Sequence, residues 1–182
     1  KPERSSPSVG DNVSGLGPAQ TEKWFDYLEN PEEMNWDGRL EIALPEYPGV
    51  TFRWYPEKME AVTENEITPL YTGMPIWNTY FCDLTGDGLP ELCSTITFGS
   101  GIIDSRVIVY DYANGASYTL EDRGKYDYSL RLDGSDGSLC VVQRAHDSGD
   151  IAAVGELFFS DSGLHLQVIK TNFETHKFTS VT

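Results

Sequence analysis

The sequence predicts a mainly β protein: antiparallel hairpins forming a sandwich or a propeller-like array of sheets, with one short N-terminal helix. Three observations carry that expectation. Apolar residues recur at every second position in run after run, the period of a half-buried strand. Turn-forming residues separate the runs at short intervals, as at Asn114-Gly115, Asp133–Gly137 and Asp161–Gly163. Aromatic residues make up 12% of the 182 positions, which suits a packed core and not a disordered chain.

Residues 1–20 are rich in Ser, Pro and Gly and read as a linker or tail; residues 21–182 read as a single β-rich domain. A short helix is expected from Thr21, with Thr21 as N-cap and Trp24, Phe25 and Leu28 on one face. Asn30-Pro31 would stop it, because the residue before a proline avoids the helical region. The period then switches to two. Leu40, Ile42 and Leu44 alternate with polar neighbours, as do Val50, Phe52 and Trp54, while Pro45, Pro48 and Pro56 relegate these runs to edges or ends. Weaker strand signals cover 66–71 and 76–81, and a further strand covers 92–98. Three hairpins follow: 106–112 with 117–121, 126–132 with 139–143, and 153–159 with 164–169. The remainder, 171–182, offers one more strand at most.

Charge excludes some partners. Thirteen basic residues against 29 acidic ones give a formal charge of −16, which opposes binding to nucleic-acid phosphates and to anionic membrane surfaces. Such a surface is compatible with an extracellular setting and with divalent cations, and equally with plain solubility. Of the three cysteines, Cys82, Cys93 and Cys140, at least one is unpaired within the chain. Cys82 and Cys93 bracket a short acidic stretch, so either a disulfide across its base or two small buried thiols would suit them. No apolar run is long enough to span a membrane. The chain opens with Lys1, which reads as a processed piece of a longer protein with its signal peptide or anchor upstream.

One run reads as chemistry: DLTGDGLPEL, Asp83–Leu92. Asp83, Thr85, Asp87 and Glu91 stand at loop positions one, three, five and nine, with Gly86 and Gly88 between them where the backbone must turn. Calcium takes six to eight oxygens, and a short glycine-hinged loop can converge that many. An EF-hand does not fit, since its twelfth position is Ser94 and the following residues alternate like a strand. Two readings remain: a calcium loop flanked by strands, or a metal-free turn held by side-chain-to-backbone hydrogen bonds.

The same run resembles the calcium loop of FG-GAP and VCBS-type repeats, whose pattern is Asp-x-Asn/Asp-x-Asp-Gly-x-x-Asp-Leu. The resemblance implies side-chain oxygens from Asp83, Thr85, Asp87 and Glu91, plus the carbonyl of Leu89, around a structural calcium ion. Thr85 stands where a carboxylate or amide is usual, and Glu91 is one methylene longer than aspartate. A wider block, Met74–Gly115, with Ile42–Met59 and Trp24–Asn30 before it, is similar to a region of proteins from Clostridia-type gut bacteria. There it forms the extracytoplasmic C-terminal part of membrane zinc metallopeptidases of the β-lactam-sensor/antirepressor kind. The peptidase is not implied for this piece: it has no HExxH, and His146, His165 and His176 lack ligand spacing.

Other candidates have plainer readings beside them. Gly99-Ser100-Gly101 lacks the lysine and helix of a phosphate loop and suits a turn or bulge. Asp104 and Arg106 suit a surface ion pair. Trp24, Trp36, Trp54 and Trp77 could include a sugar-stacking platform, although large aromatics more often fill cores. No GxSxG occurs. The expected function is therefore a non-catalytic extracytoplasmic binding or sensor module, calcium-stabilised and tethered to a membrane protein in the full-length chain. Its partner would be a small molecule, glycan or protein, and not nucleic acid. The alternatives are a secreted glycan-active hydrolase and a structural spacer.

Overall fold

Thirteen strands form among the described residues. The computed structural model describes residues 21–160 and 163–171. In chain order these form β1 (Thr21–Asp26), a 3-10 turn (Pro31–Glu33), β2 (Leu40–Ile42), β3 (Thr51–Tyr55), β4 (Lys58–Val62), β5 (Ile67–Thr72) and β6 (Ile76–Cys82). Then come β7 (Glu91–Phe98), β8 (Asp104–Asp111), β9 (Ala116–Leu120), β10 (Tyr126–Leu132), β11 (Leu139–Ala145), β12 (Ile151–Ser160) and β13 (Gly163–Thr171). Every pairing between them is antiparallel. A central sheet runs β1-β6-β7-β8-β9, a second runs β2-β3-β4-β5 and a third runs β10-β11-β12-β13.

The central sheet is covered on both faces. Successive strand side chains point to opposite sides. Phe81, Leu92 and Ile108 join Phe52, Trp54 and Met59 of the β2–β5 sheet in one core. Their neighbours Tyr80, Cys93 and Val109 join Tyr128, Leu130 and Val141 of the β10–β13 sheet in another. Three layers result, with two cores between them. Strands buried on both faces lose the strict alternation of an amphipathic strand, and β7 is buried at every position except Phe98.

Polar side chains inside this stack are all satisfied among the described residues. Tyr71 of β5 shares a 2.7 Å hydrogen bond with Ser94 of β7, and Ser94 a 2.8 Å one with Thr79 of β6. Trp54 donates through Nε1 to the Ile76 carbonyl at 3.2 Å. On the other face Asn78 donates to the Leu130 carbonyl at 3.0 Å, and the Thr95 hydroxyl accepts the Leu130 N–H at 2.8 Å. These bonds fix the lateral register of the layers, which apolar contact alone leaves loose.

The helix expected from Thr21 is a strand. β1 pairs with β6, and the register shifts between Lys23 and Phe25. That bulge lets Trp24 and Phe25, adjacent in sequence, both pack against the core shared with the β2–β5 sheet. Two neighbouring aromatics on one side imitate helical spacing, which is why the sequence misleads here. The prolines stand at edges and ends as expected: β2 is an edge strand, and Pro45, Pro48 and Pro56 lie in the connections flanking β3, which itself pairs with both β2 and β4. β4 has no expectation to match it, because KMEAV mixes charged and apolar residues without a clear period. Pro69 sits in β5, an edge strand, beside the register shift opposite Glu60. The proposed tail, the Asp161-Ser162 turn and residues 172–182 lie outside the described residues.

Candidate metal centre

The acidic run forms the connection between β6 and β7. Cys82 pairs with Glu91 at its base, so Glu91 belongs to the first residue of a strand and the rest of the set to the loop above it. Gly86 and Gly88 have φ of 77° and 87°, left-handed values that carry a steric penalty for residues with a Cβ. They allow the chain to fold back over Asp83. Its carboxylate accepts the N–H groups of Gly86 at 2.7 Å and Gly88 at 2.9 Å. Asp87 accepts the Leu89 N–H at 2.8 Å.

Glu91 sits under the loop, 1% exposed. Its carboxylate accepts the Leu84 N–H at 2.6 Å and the Thr85 hydroxyl at 2.8 Å. Burial raises its pKa above the ordinary glutamate value; the two hydrogen bonds pull it back, and Asp111 and Asp83 push it up again. Tyr47, from the β2–β3 connection, donates its hydroxyl to the Pro90 carbonyl at 2.9 Å. Its own pKa is driven up by burial first and then by Glu91, Asp111, Asp87 and Asp83. Four carboxylates therefore share one neighbourhood, and the ion pairs among the described residues include none of them.

Carboxylate oxygens of Asp83, Asp87 and Glu91 lie within 4.8 Å of one another. Calcium–oxygen bonds of about 2.3–2.6 Å put opposite ligands at most about 5 Å apart, so one ion fits among the three. Of the five residues expected to bind, three thus converge as carboxylates. Thr85 acts through Glu91, to which its hydroxyl donates. Leu89 engages through its N–H to Asp87, and its side chain packs on the core beside the β2–β5 sheet. The metal-free reading has its hydrogen bonds in place as well, since the loop is knitted by its own side chains.

Sequence reading missed Asp111. It ends β8, is 4% exposed, and accepts the N–H and the side-chain amide of Asn114 at 3.0 and 2.7 Å. Nothing local links it to the loop twenty residues earlier. The β7–β8 register does, because Leu92 faces Tyr110 and the next step along brings Glu91 and Asp111 together. An open cleft of about 620 Å³ adjoins the loop, lined by Glu22, Glu46 and Asp83 together with Thr21 and Lys23.

Other candidates resolve as follows. Cys82, Cys93 and Cys140 are free and buried, and burial raises all three thiol pKa values. Trp54 is buried and Trp24 and Trp77 pack on the same core, while Trp36 stands 61% exposed against the edge of Trp77. Gly99 opens the β7–β8 connection with φ of 136°, and strand β8 follows, not a helix. The Asp104–Arg106 pair is more than a surface contact: Asp104 is 1% exposed, and Arg106 also bridges to Glu121 at 2.5 Å. His146 bonds Asp127 at 2.9 Å, His165 packs beside Phe158, and His176 lies outside the described residues. Comparison with protein-family models, with curated proteins and with solved structures finds no match to this chain.

Proposed function

We propose that this chain is a non-catalytic extracytoplasmic binding or sensor module whose β6–β7 loop holds a structural calcium ion. The observation that carries the metal reading is the convergence of Asp83, Asp87 and Glu91 within 4.8 Å, with Glu91 almost wholly buried. A buried carboxylate crowded by others gains most from a cation. Calcium there supplies positive charge and an oxygen-seeking coordination shell. Asp83 and Asp87 would hold it from the loop and Glu91 from the strand below. Tyr47 ties the loop to the β2–β5 sheet, so ordering the loop also braces the packing of two layers.

The resemblance to FG-GAP and VCBS-type loops supports the same reading, as does the similarity to extracytoplasmic regions of membrane metallopeptidases. Between the two arrangements the sequence leaves open, we adopt the sandwich, because the three sheets stack as layers with a core on each face of the central one. β2–β5, β6–β9 and β10–β13 are three consecutive meanders, each within one sheet and stacked face to face. The partner would be a small molecule, glycan or protein outside the cytoplasm.

Calorimetric melting of chelator-treated protein with and without calcium tests the metal reading. For a dissociation constant of about 10⁻⁴–10⁻³ M, about 10 mM calcium adds roughly 1.4–2.7 kcal/mol. At this chain length that is a rise of about 3–10 °C. An unchanged melting temperature overturns the calcium centre.

A further inference from the structure

The β8–β9 hairpin turns at residues 112–115, between the paired Asp111 and Ala116, and carries Asn114-Gly115 in that turn. Of the asparagines in the chain only Asn114 precedes a glycine. The others precede Val13, Pro31, Trp36, Glu66, Thr79 and Phe173, whose side chains crowd their own backbone nitrogen. Asn114 and Gly115 are both exposed, and a Cβ on Gly115 would meet nothing within 4 Å. The Gly115 side of the bond between them is open to water.

The Asn114 side chain is held at one end. Its Nδ2 donates to Asp111 Oδ2 at 2.7 Å, and its backbone N–H donates to Asp111 Oδ1 at 3.0 Å. Asp111 is 4% exposed and stands opposite Glu91, one step beyond the Leu92–Tyr110 pair of β7 and β8. Like charges at opposed cross-strand positions repel. The neutral amide of Asn114 therefore serves a carboxylate that is both buried and crowded, where a lost donor is costly.

We propose that Asn114 is a deamidation site whose product adds negative charge beside the β6–β7 metal loop. The Gly115 nitrogen gives up its proton to solvent and attacks Cγ of Asn114, closing a cyclic imide. The Cγ–Nδ2 bond breaks, and the amide nitrogen leaves as ammonia with a proton from water. A water molecule then adds to one imide carbonyl and opens the ring, giving aspartate or, with the chain rerouted through the side chain, isoaspartate. Water is the only co-reactant. In either product a carboxylate replaces the amide that donated to Asp111, and Asp111 in turn crowds Glu91. Isoaspartate also lengthens the main chain by a methylene beside the Asp111–Ala116 pair. This one-way change raises the loop's demand for a cation. It regulates the calcium centre proposed above and rests on that reading.

The test begins with peptide mapping by mass spectrometry of the full chain held in warm, mildly alkaline buffer, folded and in guanidinium. Among the described residues, conversion in the folded chain is expected to centre on Asn114. It should run about tenfold slower than in the unfolded chain, because the bond to Asp111 must open first. G115A, whose methyl group crowds the attacking nitrogen, should slow conversion about tenfold or more in guanidinium, where folding plays no part. N114D, the aspartate product made directly, should melt a few degrees below the parent without calcium and gain more from calcium than the parent does. No conversion at Asn114 in folded protein while the unfolded chain converts overturns the proposal, as does N114D melting at or above the parent without calcium. A parent that responds to calcium with N114D gaining no more overturns this inference alone. Conversion at Asn114 and a low-melting N114D, with neither protein responding to calcium, supports the modification and removes the calcium centre.

Discussion

Glu91 combines two demands that conflict without a cation: deep burial and the company of Asp83 and Asp111. Glu91→Gln keeps the shape and an acceptor for the Leu84 N–H while removing the charge. Without calcium, E91Q should melt within about 1 kcal/mol of the parent protein or above it, since the lost charge-assisted bonds are offset by relief of the buried charge. With calcium, the stabilisation proposed for the parent should be largely absent from E91Q. A calcium response equal to the parent's would remove Glu91 from the centre. The thiols follow the same burial logic with another outcome. Raised pKa values leave little thiolate at neutral pH in Cys82, Cys93 and Cys140, so a disulfide-exchange reagent should find no reactive thiol in the folded protein. Three per chain should react in denaturant. Prompt reaction of any one before unfolding would contradict the packing described.

Connections in this molecule depend on glycine in two different ways, and substitution separates them. At Gly88 a Cβ would meet nothing within 4 Å, so the cost of Gly88→Ala is the left-handed backbone alone, roughly 1–2 kcal/mol. At Gly99 a Cβ would fall 2.0 Å from the Ile102 carbonyl oxygen, in addition to a φ of 136°. Backbone cannot yield as a flexible side chain can. G99A should therefore lose clearly more stability than G88A in urea unfolding, on the order of 2–4 kcal/mol. Equal losses would show that the β7–β8 connection is looser than the structure has it. The bulge in β1 is another local device with a wider effect, since it turns two adjacent aromatics onto one core.

For the whole molecule, the question is what makes three sheets act together. Asn78, fully buried in the central sheet, donates to Leu130 of the third sheet and accepts the Thr95 N–H at 2.9 Å. Asn78→Ala would strand a buried N–H and a buried carbonyl, costing roughly 1–3 kcal/mol for each group left unpaired. If the layers form one cooperative unit, the urea midpoint should fall with the slope unchanged. A second transition, or a reduced slope, would show that the β10–β13 sheet unfolds separately.

Local pattern was enough for the β class, for the three hairpins from β8 to β13 and for the gathering of Asp83, Asp87 and Glu91 at one loop, because strand period and turn chemistry act within a few residues. It fails at Thr21–Asp26, where a bulge gives Trp24 and Phe25 the spacing of a helical face, and at β4, which has no period of its own. Asp111 beside Glu91 and Tyr47 over the loop were beyond its reach. Each joins residues brought together by strand pairing or by the stacking of one sheet on another. Side-chain alternation is written along the chain, but which sheet each face meets is settled by long-range packing.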